Sequence, residues 1–119
     1  MDRIYNEWKT RAAFLMVYIR EAHPSDEWQM SSNVDEKVVF AQPTSEGSRN
    51  AVAGECCSRL KVSMPCVVDS LDNAVDGAYA AFPERLFVID AAGKIAYAGQ
   101  QGPWGYQPEH VEEWLKRNC

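Results

Sequence analysis

The sequence predicts an α/β domain in which parallel and antiparallel strands share one sheet covered by helices. Three observations carry that expectation. Residues Ala13 to Ile19 are apolar on both faces and rich in aromatic and β-branched side chains, the pattern of a parallel strand buried on each side. Two further runs, Arg85 to Asp90 and Lys94 to Ala98, flank Ala91-Ala92-Gly93, where Gly93 supplies the positive φ that a three-residue hairpin loop needs. Segments with helical apolar spacing fall before, between and after these strands. A chain of 119 residues is the size of one domain with one core.

At the start, Ile4, Tyr5 and Trp8 repeat at helical spacing, so Asp2 to Lys9 is expected as a short amphipathic helix before the Ala13–Ile19 strand. From Glu21 to Pro43 periodicity disappears; Pro24, Ser25, Asp26, Ser31, Ser32 and Asn33 supply turn chemistry, and the apolar residues shrink to Val38 to Phe40. Loops of that length in compact domains usually carry function. Thr44 or Ser45 can cap a helix to about Leu60, with a stripe of Val52, Ala53, Cys56, Cys57 and Leu60 that Gly54 weakens. Cys66 to Asp69 reads as a short strand, and about Asn73 to Ala80 as a small helix with Val75, Ala78 and Tyr79 inward. After the hairpin, Pro108 opens a closing helix with Val111, Trp114 and Leu115 on one side and Lys116 and Arg117 at its negative end.

Composition narrows the function classes. Lys and Arg number 12 against 17 Asp and Glu, a net charge of −5 with no basic cluster, which argues against a nucleic-acid or anionic-membrane partner. The longest apolar run, Ala12 to Ile19, falls well short of the ~20 residues of a membrane-spanning helix. Asp2, Arg3, Glu7, Lys9 and Arg11 deprive the start of the apolar centre of a secretory signal, so the cytoplasm is the expected compartment. The four cysteines form no C-x-x-C and no zinc-like spacing with histidine, so reduced thiols and no metal are expected.

The element order looks like a thioredoxin fold that lacks its beginning. Four ordered strings resemble the iodothyronine deiodinases and their bacterial deiodinase-like relatives, a thioredoxin-like branch near the peroxiredoxins. They are Tyr18-Ile19-Arg20-Glu21-Ala22-His23-Pro24-Ser25-Asp26-Glu27-Trp28, then Met64-Pro65-Cys66-Val67-Val68-Asp69, then Pro83-Glu84-Arg85-Leu86-Phe87-Val88-Ile89, and Gly93 to Tyr106 with its Gly102-Pro103-Trp104-Gly105-Tyr106. The resemblance implies a three-layer thioredoxin-like (peroxiredoxin-like) sandwich with a mixed sheet. It also implies reductive removal of iodine by a selenocysteine, or by cysteine in many bacterial members, with a thiol reductant as co-substrate and no bound cofactor. In that family the nucleophile follows the first strand, at the start of the first long helix, and Asp2 to Lys9 matches the later part of that helix. The first central strand and the nucleophile are therefore expected to precede Met1, leaving residues 1–119 as a single, N-terminally incomplete domain. A selenocysteine codon read as a stop, with the start assigned downstream, accounts for such a sequence.

Glu21 and His23 sit just past the end of a central strand, where open sheets with parallel strands place functional groups. A neutral imidazole can relay a proton and a nearby carboxylate can fix its tautomer; the resemblance makes the two a proton-relay and substrate-binding pair. The plainer reading is that His23 and Asp26 stabilise the Pro24 turn. By resemblance Arg85 faces the same end of the sheet, where its planar fork suits a carboxylate, against a salt bridge with Glu84, Asp69 or Asp90. Cys66 can serve as a resolving thiol or simply be buried. Cys56 and Cys57, neighbours on a helix, diverge by roughly 100° and are expected to pack rather than bond to each other, and Cys119 is given no role. Trp28, Trp104 and Tyr106 can line a pocket for a small aromatic or halogenated substrate, or cover a core edge. Pro43 stands where vertebrate deiodinases resemble one another in a histidine proposed to bind iodothyronine, a departure that bears on substrate specificity. Pro65 and Pro83 each precede a strand, and Pro83 lies near the superfamily's cis-proline position.

The leading expectation is a deiodinase-like thiol- or selenol-dependent oxidoreductase whose nucleophile is not in these residues. The alternatives are a non-catalytic thioredoxin-like binding or assembly module using Trp28, Trp104 and Tyr106, and a small thiol oxidoreductase relying on Cys66 or Cys57. In a peroxiredoxin-like arrangement the order is Cys66–Asp69, Ala13–Ile19, the missing strand, Arg85–Asp90, then Lys94–Ala98, so its loss splits the sheet and leaves Ala13–Ile19 and Arg85–Asp90 each with an unpaired edge. Either these two strands close antiparallel on each other or a second copy pairs with them, and a homodimer is the expected form.

Overall fold

The structure is a computed structural model that describes residues 1–20, 45–59 and 61–119. Helix α1 (Asp2–Trp8) is followed by strand β1 (Met16–Tyr18), helix α2 (Glu46–Arg59), strand β2 (Cys66–Val68), helix α3 (Ala74–Tyr79), strands β3 (Phe87–Ile89) and β4 (Ile95–Ala98), and helix α4 (Pro108–Asn118). The predicted loop from Glu21 to Pro43, and Leu60 of the α2 stripe, lie outside the described residues.

Among the described residues the strands form two separate two-stranded sheets, the split expected when the central strand is missing. β1 and β2 run parallel with Met16, Val17 and Tyr18 opposite Cys66, Val67 and Val68. β3 and β4 run antiparallel, Phe87 opposite Ala98 and Val88 opposite Tyr97, with an irregularity between Val88 and Ile89. β1 and β3 do not pair, so closure of one strand directly onto the other is not the solution adopted here. The expectation that Ala13–Ile19 is buried on both faces also fails: all three residues of β1 are half-buried and Leu15 is 61% exposed. A strand needs a ladder or a helix on each side to lose its solvent, and among the described residues β1 has one ladder neighbour.

The core gathers around α1 and α4. Ile4, Trp8, Val111 and Leu115 are buried together, and Phe14, Leu86, Val88, Tyr97 and Trp114 pack against them. The two helices thus cover the Val88/Tyr97 face of the hairpin, while Ile89 and Ile95 remain exposed. Gly93 has φ +79°, and its N–H bonds the Asp90 carbonyl while the Asp90 N–H bonds the Lys94 carbonyl, so the turn closes as its sequence predicts. The Phe82–Pro83 and Gly102–Pro103 peptide bonds are cis. In α2, Ser45 is the residue that caps: its Oγ accepts the Ser48 N–H at 3.1 Å, and Ala53 is buried.

Two polar ties hold α1 in place. The Asp2 carboxylate accepts the Ser63 N–H at 3.0 Å and its hydroxyl at 3.1 Å. Arg3 bonds Glu112 of α4 at 2.7 Å, and Lys116 reaches the same carboxylate at 3.2 Å. Hydrogen bonds from Arg3 and Lys116 hold the Glu112 carboxyl down at about 2. Because this folded-state value is depressed, its stabilising contribution is present above the ordinary glutamate range and is lost as pH falls toward 2. Glu112→Gln is therefore expected to flatten the stability profile between about pH 2 and 4.5. Urea unfolding of both forms across that window checks this; parallel profiles would show that the pair does not couple to folding.

Candidate active site

The site begins with an aspartate at the end of β2. Asp69 is buried, and its carboxylate accepts N–H bonds from Ser70 at 2.8 Å, Val75 at 3.0 Å and Asp76 at 2.9 Å. Val75 and Asp76 lie in the first turn of α3, whose N–H groups have no intrahelical acceptor, so Asp69 caps that helix across the connecting turn. Burial pushes the Asp69 carboxyl up, but the three N–H bonds and the charge of Arg49 outweigh it and hold the group below its ordinary range. Arg49, itself buried, donates to the Ser70 carbonyl at 2.8 Å, which ties α2 to the same turn.

Asp76 is the next link. It is the buried residue of α3, in place of the inward Ala78 that periodicity predicts, which is exposed. One oxygen accepts the Phe82 N–H at 3.0 Å and the other accepts Arg20 Nε at 3.1 Å. The Arg20 guanidinium lies 3.8 Å from the Phe82 ring centroid, a stacked cation–π contact. These residues form the wall of a cleft of about 450 Å³ that Asp72, Asn73, Gly77, Ala80 and Gln101 complete. It lies past the carboxyl ends of the parallel strands β1 and β2, the end at which open α/β sheets bind ligands. The lining combines Arg20, already paired with Asp76, with a second carboxylate at Asp72, the Phe82 ring and the side-chain amides of Asn73 and Gln101, so it offers hydrogen bonds and an aromatic face to a phenolic or other polar aromatic molecule.

The sequence-predicted residues divide among different places. Glu21, His23 and Trp28, like Pro43, lie outside the described residues. Glu21 and His23 follow Arg20 in the chain, so the Asp76–Arg20 pair holds the point at which β1 leads into them. Arg85 makes none of the weighed salt bridges with Glu84, Asp69 or Asp90 among the described ion pairs. Instead it donates to the carbonyls of Gly99 at 2.6 Å, Tyr79 at 2.9 Å and Ala80 at 3.4 Å, closing the end of α3 onto the residue after β4. Trp104 is 92% exposed, and neither it nor Tyr106 lines this cleft. Burial pushes the Tyr106 phenol up, with Glu84 adding to the effect.

Cys66 opens β2 with its sulfur 3.6 Å from that of Cys57, in the last turn of α2. The residue as a whole is exposed, yet desolvation and the neighbouring Cys57 thiol push its pKa up to about 11. All four cysteines are thiols, and none stands in the first turn of a described helix, where the dipole favours thiolate. Among the described residues no group of three or more His, Cys, Asp or Glu is placed to hold a metal ion, and no helix is long and apolar enough to cross a membrane.

Sequence reasoning did not single out Arg20, Asp76, Phe82 or Gln101, and it considered Asp69 merely as a partner for Arg85. An aspartate closing a strand a few residues before a helix is a capping signal that points to Asp69. Nothing local marks Asp76, whose partners are tertiary.

A model of the family described as iodothyronine deiodinase matches residues 1–119. The chain belongs to the iodothyronine deiodinase family. It is 40% identical over 116 residues to a type I iodothyronine deiodinase of Xenopus laevis, covering 98% of this chain and 44% of that protein. It is 33% identical over 118 residues to type II iodothyronine deiodinases of Rattus norvegicus and Homo sapiens, again covering 98% of this chain and 44% and 43% of those proteins. The chain thus spans under half the length of these family members, and the matched part includes the whole of the cleft described above.

Proposed function

We propose that residues 1–119 form the substrate and proton-relay side of a thioredoxin-like reductive deiodinase, with the catalytic nucleophile supplied from outside these residues. The observation that carries this reading is the Arg20/Asp76/Phe82 cleft at the carboxyl ends of β1 and β2, in the position from which Glu21 and His23 continue. In this reading Arg20, stacked on Phe82, receives the phenolic end of an iodothyronine-like substrate. His23 relays the proton that replaces iodine on the ring, Glu21 sets its tautomer, and Trp28 packs on the aromatic body, while Trp104 and Tyr106 lie outside the cleft. Arg85 is the positioning residue that fixes the end of α3 to Gly99. The electrons come from a thiol or selenol nucleophile and, through Cys66 as resolving thiol, from a thiol reductant as co-substrate. The raised Cys66 pKa and the absence of any described cysteine from a helix N-terminus support a nucleophile outside this segment.

The same reading accounts for the sheets. A central strand between β1 and β3 would join β2, β1, β3 and β4 into the mixed sheet of one thioredoxin-like domain, and the edges of β1 and β3 that find no partner among the described residues support it. A homodimer is the form in which those edges pair when residues 1–119 stand alone, and the reduced thiols suit the cytoplasm.

Equilibrium binding of an iodothyronine to the 119-residue chain tests the cleft. Saturable binding is expected, weakened about tenfold by Asp76→Asn, which removes the carboxylate that orients Arg20. Binding indifferent to Asp76→Asn, or no binding at all, would place the substrate elsewhere.

A further inference from the structure

We propose that Cys57 and Cys66 form a reversible dithiol/disulfide site that exchanges with low-molecular-weight disulfides and thiols. The proposal rests on placement. The two sulfurs lie 3.6 Å apart, one in the last turn of α2 and the other on the first residue of β2, so approach of the sulfurs by about 1.5 Å gives the bond length of a disulfide. The intervening segment already folds the two ends together: the Val62 N–H bonds the Cys57 carbonyl at 3.0 Å, the Lys61 N–H bonds the Ser58 carbonyl at 3.3 Å, and Lys61 has φ +53°. The adjacent Cys56 also acts electrostatically on Cys66, but the 3.6 Å sulfur contact is made by Cys57. Cys66 is exposed, so small disulfides reach the pair from solvent.

The exchange balances in two steps. One protein thiolate attacks a sulfur of the small disulfide, breaking its S–S bond, forming a mixed disulfide and releasing one small thiolate. The second protein sulfur attacks the mixed disulfide, forming the Cys57–Cys66 bond and releasing the second small thiolate. Two protein thiols are oxidised, one small disulfide is reduced to two thiols, and the two protons leave on those thiols. Desolvation of Cys66 keeps it protonated near neutrality, so closure is expected to accelerate as pH rises toward 11. This site does not depend on the iodothyronine reading: it exists whether or not the cleft binds such a substrate.

The test is to equilibrate the native chain with oxidised and reduced glutathione, quench by alkylation and map the peptides. The expected product is a monomer that takes up two fewer alkyl groups than the fully reduced chain, with the Cys57 and Cys66 peptides joined; the exposed Cys119 is replaced by serine throughout, so that its own glutathione adduct does not enter the count. Closure should be favoured on the order of tenfold or more over the same chain in urea, because the fold sets the contact. Cys56→Ser should close as the parent does, while Cys57→Ser and Cys66→Ser should stop at a single glutathione adduct. Separate stable glutathione adducts on Cys57 and Cys66 in the unsubstituted chain, a crosslink to Cys56, or equal closure in urea would each overturn the proposal.

Discussion

Asp69→Ala is expected to destabilise the fold by about 2–4 kcal/mol, lowering the midpoint of thermal unfolding by roughly 10 °C. The substitution strands three N–H donors at the end of β2 and the start of α3, and leaves the buried Arg49 without the nearby carboxylate. Unsatisfied buried donors cost ~1–3 kcal/mol each, which is why one side chain outweighs most surface changes. The pH dependence has a definite sign. Asp69 is held below its ordinary range, so its contribution is complete above about pH 4 and is lost as pH falls through the lowered folded value. Asp69→Asn keeps one acceptor oxygen and removes the titration, so it should cost less at pH 7 and show a shallower loss in acid. Urea unfolding at several pH values measures both, and an Asp69→Ala loss within ~0.5 kcal/mol would mean that α3 does not need this cap.

The second large effect concerns chemistry. In a family chain that contains its nucleophile, His23→Ala should lower iodide release by about 10²-fold or more while leaving stability within ~0.5 kcal/mol. Loss of a positioned proton donor removes transition-state stabilisation, so the fall is expected in kcat more than in KM. Glu21→Gln should act on the same proton, lowering the rate and moving the acid limb of the pH–rate profile. A large loss of melting temperature with activity retained would instead make His23 a stabiliser of the Pro24 turn.

How much of this was legible follows from where the determinants lie. The hairpin and α4 were readable because their signals are local: Gly93 must take a positive φ, and Pro108 with Val111 and Leu115 sets a start and a buried stripe. The split into two ladders followed from the expected strand order; the half-burial of β1 did not, because hydrophobic pattern marks a strand but does not count its neighbours. Ala13–Ile19 has the apolar content of a central strand, yet just Met16–Tyr18 finds a ladder and Leu15 faces solvent. In α3 the apolar spacing favours Val75, Ala78 and Tyr79, whereas the buried residue is Asp76, stabilised by Arg20 and Phe82 from elsewhere in the chain. Cys57 reads as one thiol of an ordinary stripe until β2 brings Cys66 beside it. For the site, the family resemblance pointed to the strand end at Arg20-Glu21-Ala22-His23, and the fold adds the Asp69 and Asp76 supports that no spacing rule reveals.

The measurement that bears most directly on the division of labour proposed here is iodide release from a labelled iodothyronine, with excess dithiol, by residues 1–119 alone and by the same residues joined to a nucleophile-bearing family segment before Met1. The account predicts no release from residues 1–119 and release from the joined chain that His23→Ala abolishes. Release by residues 1–119 alone that disappears with Cys66→Ser would contradict it and place the reducing thiol on β2.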